Sequence, residues 1–273
     1  MPQRAIIAGC LMVIGGAEDR AGDCGLLKVF ADLCGGAGAR IALITTASGA
    51  PAQSFATYRA AFRRLGIRDI RELRLASHEH ASGEQALTAL AAATGIFLTG
   101  GDQARLEFLV DSRANRALRD HVADNSLVVA GTSAGAMALG STMILGGNVR
   151  PGGHHPHGWE MADDPLRTGP GLGLLPAAII DVHVTQRRRL PRLIAAVTGH
   201  PSHLGLGIDE DTAVLVRPGR FDVLGRGEVA AVDADPVPAA PSSATPGGRA
   251  LGTRLHHLHP GDAFDLERRH PVG

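Results

Sequence analysis

Short, nearly unbroken apolar runs alternate with amphipathic stretches along the first half of the chain. Arg4 to Met12 reads as a first strand leading into Gly15-Gly16, and Gly22 to Leu33 is compatible with a helix. Ile41 to Thr46 is a second strand, closed by a Ser48-Gly49-Ala50-Pro51 turn. Pro51 suits a helix start, where its fixed φ is already helical and its missing N–H goes unneeded. Phe55, Tyr58, Phe62 and Leu65 then fall on one helical face. A third strand over Ile67 to Leu75, a helix over Gly83 to Ala93 and a fourth strand over Gly95 to Thr99 follow. Leu106 to Val122 is helical with a break near Asp111-Ser112, and Leu127 to Ala130 is a fifth buried strand. Strands alternating with helices of this length predict a parallel sheet with helices on both faces.

The pattern changes in the second half. Gly146 to Gly173 is rich in Gly, Pro and His and reads as a long loop that includes His154-His155-Pro156-His157 and Trp159. A loop of that length in a compact domain is commonly a functional lid or wall. Ala177 to Val182 is a strand, and a helix runs from about Thr185 to Val197. Leu204 to Ile208, Thr212 to Val216, Phe221 to Leu224 and Glu228 to Val232 are short successive strands, an antiparallel end to the sheet. Residues 233–248 are rich in Pro, Ala and Ser and read as an exposed mobile loop. Leu251 to Leu258 and Asp262 to Leu266 can close the sheet, so residues 1–273 are expected to form one α/β domain.

Composition narrows the function. Lys+Arg and Asp+Glu balance at 27 each, so no global field favours nucleic acid or an anionic membrane. No apolar run approaches the roughly 18 residues needed to span a bilayer, and the N-terminus lacks the pattern of a secretory signal. The cysteines Cys10, Cys24 and Cys34 are odd in number and form no pairing pattern, which suits a reducing, cytoplasmic setting. Cys24 and Cys34 are read as buried thiols rather than metal ligands. His154, His155 and His157 are close together, but Pro156 and the lack of a fourth ligand argue against zinc. No metal site is expected.

The candidate chemistry centres on Gly131-Thr132-Ser133-Ala134-Gly135, between a strand and a helix-compatible segment. A serine on a sharp strand-to-helix turn is a nucleophile-elbow arrangement. Glycines permit the tight turn, and the helix start aims N–H groups at the reacting atoms. A plain tight junction reads the same way from five residues alone. A serine nucleophile also needs a base and an orienting acid. His183 sits at the end of the Ala177 to Val182 strand, and Glu210 lies in Gly207-Ile208-Asp209-Glu210-Asp211 after another strand. Active sites of parallel sheets collect at such strand ends.

Several stretches occur together in one order: Gly15-Gly16-Ala17-Glu18-Asp19, Thr99-Gly100-Gly101-Asp102-Gln103, Gly131 to Ala136, Pro170 to Leu175, Asp181-Val182-His183, Gln186 to Leu193, and Gly207 to Ala213. In these the chain resembles the cyanophycinase / dipeptidase E family of serine peptidases, nearest its cyanophycinase branch. The resemblance implies a flavodoxin-like, class I glutamine-amidotransferase-like three-layer sandwich. Its central sheet would be mainly parallel with a short antiparallel C-terminal part. It implies a cofactor-free hydrolase with Ser133 as nucleophile, His183 as base and Glu210 as acid. Gln103 and Asp181 become substrate contacts, and Arg187, Arg189 and Arg192 become contacts to a substrate carboxylate or supports of the site. Backbone N–H groups of Gly101 and Ala134 would hold the oxyanion. The implied substrate is a peptide or small amide with a β-aspartyl, isopeptide-like bond. Cyanophycinases release β-Asp-Arg from an arginine-decorated polyaspartate. A homodimer is implied too.

Two departures stand out: Val184 replaces the family's usual Phe after the base, and residues 148–164 do not look like the corresponding family stretch. Both bear on substrate choice more than on reaction type. Three rivals remain: a same-fold dipeptidase or amide hydrolase, an esterase with its acid before a late histidine such as His256, and a vestigial amidotransferase-like binding domain.

Overall fold

The computed structural model describes residues 9–125, 127–151, 159–161, 165–234 and 252–272. His154-His155-Pro156-His157 and all but the first two residues of the expected 233–248 loop lie outside the described residues. The architecture is α/β, and its β-structure is mixed.

A nine-stranded sheet has the order His270–Val272, Ala263–Asp265, Arg220–Gly225, Thr212–Arg217, Leu11–Ile14, Val128–Thr132, Gly95–Leu98, Arg40–Ile44, Asp69–Glu72. From Leu11–Ile14 to Asp69–Glu72 neighbours run parallel. On the other side of Leu11–Ile14 every pairing is antiparallel. A six-stranded sheet has the order Arg254–Leu258, Val229–Asp233, Leu204–Ile208, Leu175–Val182, Gly140–Gly146, Arg167–Pro170. Only its central pairings, Leu204–Ile208 with Leu175–Val182 and Leu175–Val182 with Gly140–Gly146, are parallel. This corrects the single, mainly parallel sheet expected from the sequence. In the nine-stranded sheet a tight Pro218-Gly219 turn folds Arg220–Gly225 back on Thr212–Arg217, and that hairpin docks antiparallel on Leu11–Ile14.

Leu11–Ile14 shows why the apolar runs are unbroken. Leu11 and Val13 enter one core; Met12 and Ile14 enter another on the opposite face. A strand buried on both sides has no polar alternation to display. The second core gathers the scarce aromatics: Phe97 lies 5.4 Å from Phe30, 5.7 Å from Phe62 and 5.0 Å from Tyr58, centroid to centroid. Phe62 and Tyr58 come from the Pro51–Arg64 helix, as their spacing predicts.

Some elements differ from the expected bounds. Leu11–Ile14 starts later than Arg4, and residues 1–8 are not described. Gly140–Gly146 and Arg167–Pro170 are strands that pattern did not reveal; their strand character comes from pairing with each other and with Leu175–Val182. The break expected at Asp111-Ser112 is present: Ser112 caps the Arg113–Ala123 helix by accepting from Asn115 N at 3.1 Å. The helix expected from Thr185 is Leu190–Gly199 instead. Pro191 belongs in a first turn, where its absent N–H is not needed. No helix among the described residues is long and apolar enough to cross a membrane.

Candidate active site

Ser133 leaves the Val128–Thr132 strand with φ 51° and ψ −117° and starts the Ala134–Ala138 helix. The flanking glycines serve close packing. A Cβ on Gly131 would lie 2.5 Å from Gly135 O, and one on Gly135 would lie 2.4 Å from Leu98 O.

His183 and Glu210 come from the other sheet. Leu175–Val182 and Leu204–Ile208 pair in parallel with Val182 opposite Ile208, so residues just beyond their C-terminal ends are neighbours. His183 turns out of its strand at φ 54°. Its Nε2 lies 3.0 Å from Ser133 Oγ, and its Nδ1 lies 2.7 Å from Glu210 Oε1. With Nδ1–H donating to the carboxylate, Nε2 is left to accept from the serine hydroxyl. Gly16, at φ 98°, admits this ring: a Cβ there would stand 2.5 Å from His183 Cε1.

The acidic run divides its work. Asp209, 5% exposed, accepts from Thr185 N and Thr185 Oγ1, both at 2.9 Å, and ties the loop after His183 to the loop before Glu210. Glu210 meets the histidine. Asp211 Oδ1 accepts from Asp19 N at 3.2 Å, while Asp211 N donates to Gly16 O at 2.9 Å. Three acids that read as one polar turn thus connect three segments of the site. Burial lowers the pKa of His183 below its ordinary value, the Glu210 hydrogen bond opposes that shift, and the positive charge of Arg187 adds to it.

Ser133, His183 and Glu210 border a pocket of about 560 Å³ with Gly100, Gly101 and Arg187. Gln53, Ser54, Thr57 and Tyr58 of the Pro51–Arg64 helix, together with Glu18 and Arg20, complete much of its wall. Sequence reasoning quoted Glu18 only within a motif and passed over Arg20, Thr132 and Tyr58 as site residues. The available signal was Glu18 just beyond a buried strand.

The other expected contacts sit elsewhere. Gln103 Nε2 donates to the carbonyls of Ile144 and Leu145 at 2.8 and 3.1 Å. Asp181 is fully buried, and Arg192 clamps it with Nε and NH2 at 2.6 Å each. Arg189 lies 3.8 Å from Asp181 and donates to Val182 O at 3.0 Å. Burial and then the neighbouring Arg192 push its pKa down to about 10. Asp181 and Arg192 therefore form a buried ion pair under the strand that ends in His183. Removing one partner of a buried pair strands the other charge at a cost of about 3–5 kcal/mol. Arg192→Met is accordingly expected to lower Tm by at least several degrees in a thermal melt, at roughly 2–4 °C per kcal/mol.

Two mixed sheets that bring a strand-to-helix serine, a histidine and a glutamate into one hydrogen-bonded line belong to the serine-type hydrolases of α/β architecture. Residues 11–224 match the model of Peptidase family S51. The chain belongs to that family and is a serine-type peptidase. Proteins named cyanophycinase from Synechococcus elongatus and Trichormus variabilis are 39% and 38% identical to it, over 97% and 95% of this chain and 81% and 86% of theirs. A peptidase from an acI-B1 actinobacterium shares the fold with a TM-score of 0.65 at 18% identity, covering 97% of this chain and 99% of that one. A putative peptidase E from Listeria monocytogenes gives 0.52 at 16% identity, covering 81% and 99%.

Proposed function

We propose that this peptidase degrades cyanophycin to β-Asp-Arg dipeptides, with Ser133 as nucleophile, His183 as base and Glu210 as acid. Similarity over nearly the whole chain to proteins named cyanophycinase carries the reading. The Ser133–His183–Glu210 line in a pocket holding charges of both signs supports it. Ser133 Oγ attacks the scissile carbonyl while His183 Nε2 takes its proton and then delivers it to the departing amine. Water, activated by the same histidine, releases the acyl group. N–H groups of Gly101 and Ala134 are proposed to hold the oxyanion; losing one such donor costs about 3 kcal/mol of transition-state stabilisation. Arg187, on the pocket wall, offers a bidentate fork to a substrate carboxylate.

The product decides which bond breaks. Release of β-Asp-Arg keeps the side-chain linkage intact and cuts the aspartyl backbone amide. The scissile bond is therefore the backbone α-amide of an aspartyl residue whose β-carboxyl carries arginine, and not the β-aspartyl bond expected from the sequence.

The flavodoxin-like description is also proposed. Counted from Arg40–Ile44, the run Asp69–Glu72, Arg40–Ile44, Gly95–Leu98, Val128–Thr132 follows the order 2-1-3-4 of a flavodoxin-like sheet, and the chain's first strand, Leu11–Ile14, takes the fifth place. The homodimer, the cytoplasmic location and the single hydrolytic domain over 1–273 belong to the same proposal.

Purified protein incubated with cyanophycin is expected to release β-Asp-Arg and no free arginine, read by mass spectrometry. His256→Ala is expected to retain that activity. His256, in the outer strand Arg254–Leu258 of the six-stranded sheet, packs edge-to-face on Phe264 of the nine-stranded sheet, with centroids 5.5 Å apart. Activity lost in His256→Ala but kept in His183→Ala would favour the esterase-like order. Cleavage of other small amides with cyanophycin untouched would favour the dipeptidase reading.

A further inference from the structure

The pocket contains a carboxylate that the proposed chemistry leaves unused. Glu18 borders it and is 2% exposed. Its Oε1 accepts from the Tyr58 hydroxyl at 2.5 Å, and its Oε2 from the Thr132 hydroxyl at 2.6 Å. Both donors are neutral. Burial and the charge of Glu18 raise the Tyr58 pKa, which keeps that hydroxyl protonated. Among the described residues no ion pair involves Glu18; Arg20 lies over the Tyr58 ring, 5.6 Å from its centroid, and its charge and hydrogen bond to the Tyr58 hydroxyl oppose the rise in that group's pKa. The two bonds use one acceptor position on each oxygen of a group that offers about four. Thr132 and Tyr58 also line the pocket, so the three side chains form one patch of its wall.

A carboxylate withdrawn from water without a cation is unfavourable. In a substrate pocket, the ligand can supply that cation. We infer that Glu18 is a specificity-determining residue that receives the cationic side chain of the substrate. A guanidinium fits better than an ammonium because its planar fork matches a carboxylate. The inference rests on the cyanophycin-degrading reading, in which every repeating unit carries a β-linked arginine. Thr132 directly precedes Ser133, and both line the same pocket as Glu18. Arg20 and Arg187 provide the opposite charge for that arginine's carboxylate.

The test compares a short cyanophycin-like peptide with the same peptide carrying citrulline, whose uncharged ureido group copies the shape of guanidinium. Wild-type protein is expected to favour the arginine peptide by about 10- to 100-fold in kcat/KM, the scale of one charge-assisted contact. Glu18→Gln is expected to lose that preference through a higher KM for the arginine peptide. Its kcat/KM on the citrulline peptide should fall by much less than on the arginine peptide. Equal losses on both peptides would mean that Glu18 merely props the serine turn through Thr132 and would overturn the inference, as would a preference that persists in Glu18→Gln. If Glu18→Gln fails to fold, inhibition of the wild type by β-Asp-Arg and β-Asp-citrulline reads the same preference, and equal Ki values overturn it. Wild-type cleavage of both peptides at equal rates sinks the inference and leaves the peptidase reading standing; cleavage of neither sinks both.

Discussion

Ser133→Ala is expected to lower kcat on cyanophycin by about 10⁶-fold, the loss seen when a triad nucleophile is removed from a serine peptidase. The hydroxyl is the atom that bonds to substrate, and its loss leaves only binding and oxyanion stabilisation. The fold should tolerate the change. Ala accepts the same backbone position as Ser, and the bond lost to His183 is worth about 1 kcal/mol. Initial rates of β-Asp-Arg release and a thermal melt on the same preparation check both halves. Near-wild-type turnover in a folded Ser133→Ala protein would remove the nucleophile assignment. A large drop in Tm would shift the explanation from chemistry to folding.

Glu210→Gln is expected to cost about 10⁴-fold in kcat with little loss of structure, by analogy with amide replacement of a triad acid. The amide can donate to His183 Nδ1, which favours the tautomer with Nε2 protonated. That tautomer cannot accept the Ser133 proton. The pH profile adds a second readout. Burial disfavours imidazolium, so the working, neutral form of His183 persists below the ordinary histidine pKa. The acidic limb of kcat/KM in the wild type should therefore lie below pH 6.5, with activity lost as pH falls through it. The carboxylate favours the charged ring, so in Glu210→Gln the limb of any residual activity should move lower still. A limb above 6.5 in the wild type, or one that rises in the variant, would contradict this account of the site's electrostatics.

The serine turn was legible because its requirements are local. A buried strand, a serine and small neighbours must be adjacent in the chain, and Leu127 to Gly135 displays all of them. His183 and Glu210 were legible as strand-end residues, and the order of motifs around them supplied their partners. The Asp209-Glu210-Asp211 run shows the limit. Its members look alike in sequence, yet they bond to Thr185, His183 and Asp19 respectively, because successive residues at a strand end point in different directions. Asp181 and Arg192 show another. Eleven positions apart, they pair in the interior, a contact that no local pattern records.

The sequence by itself determined the α/β character, the two-sided burial of strands such as Leu11–Ile14, the helix that carries Tyr58, and the serine at its turn. Burial and propensity are set by periodicity within a few residues, which is why those features could be read without partners. Tertiary structure decided the mixed direction of the sheets, the strands Gly140–Gly146 and Arg167–Pro170, and the union of a serine from one sheet with a histidine and a glutamate from another. It also decided that Glu18 meets Tyr58 and Thr132, from positions 40 and 114 residues away. Strand pairing and side-chain direction at strand ends depend on contacts far apart in the chain, and no local pattern records them.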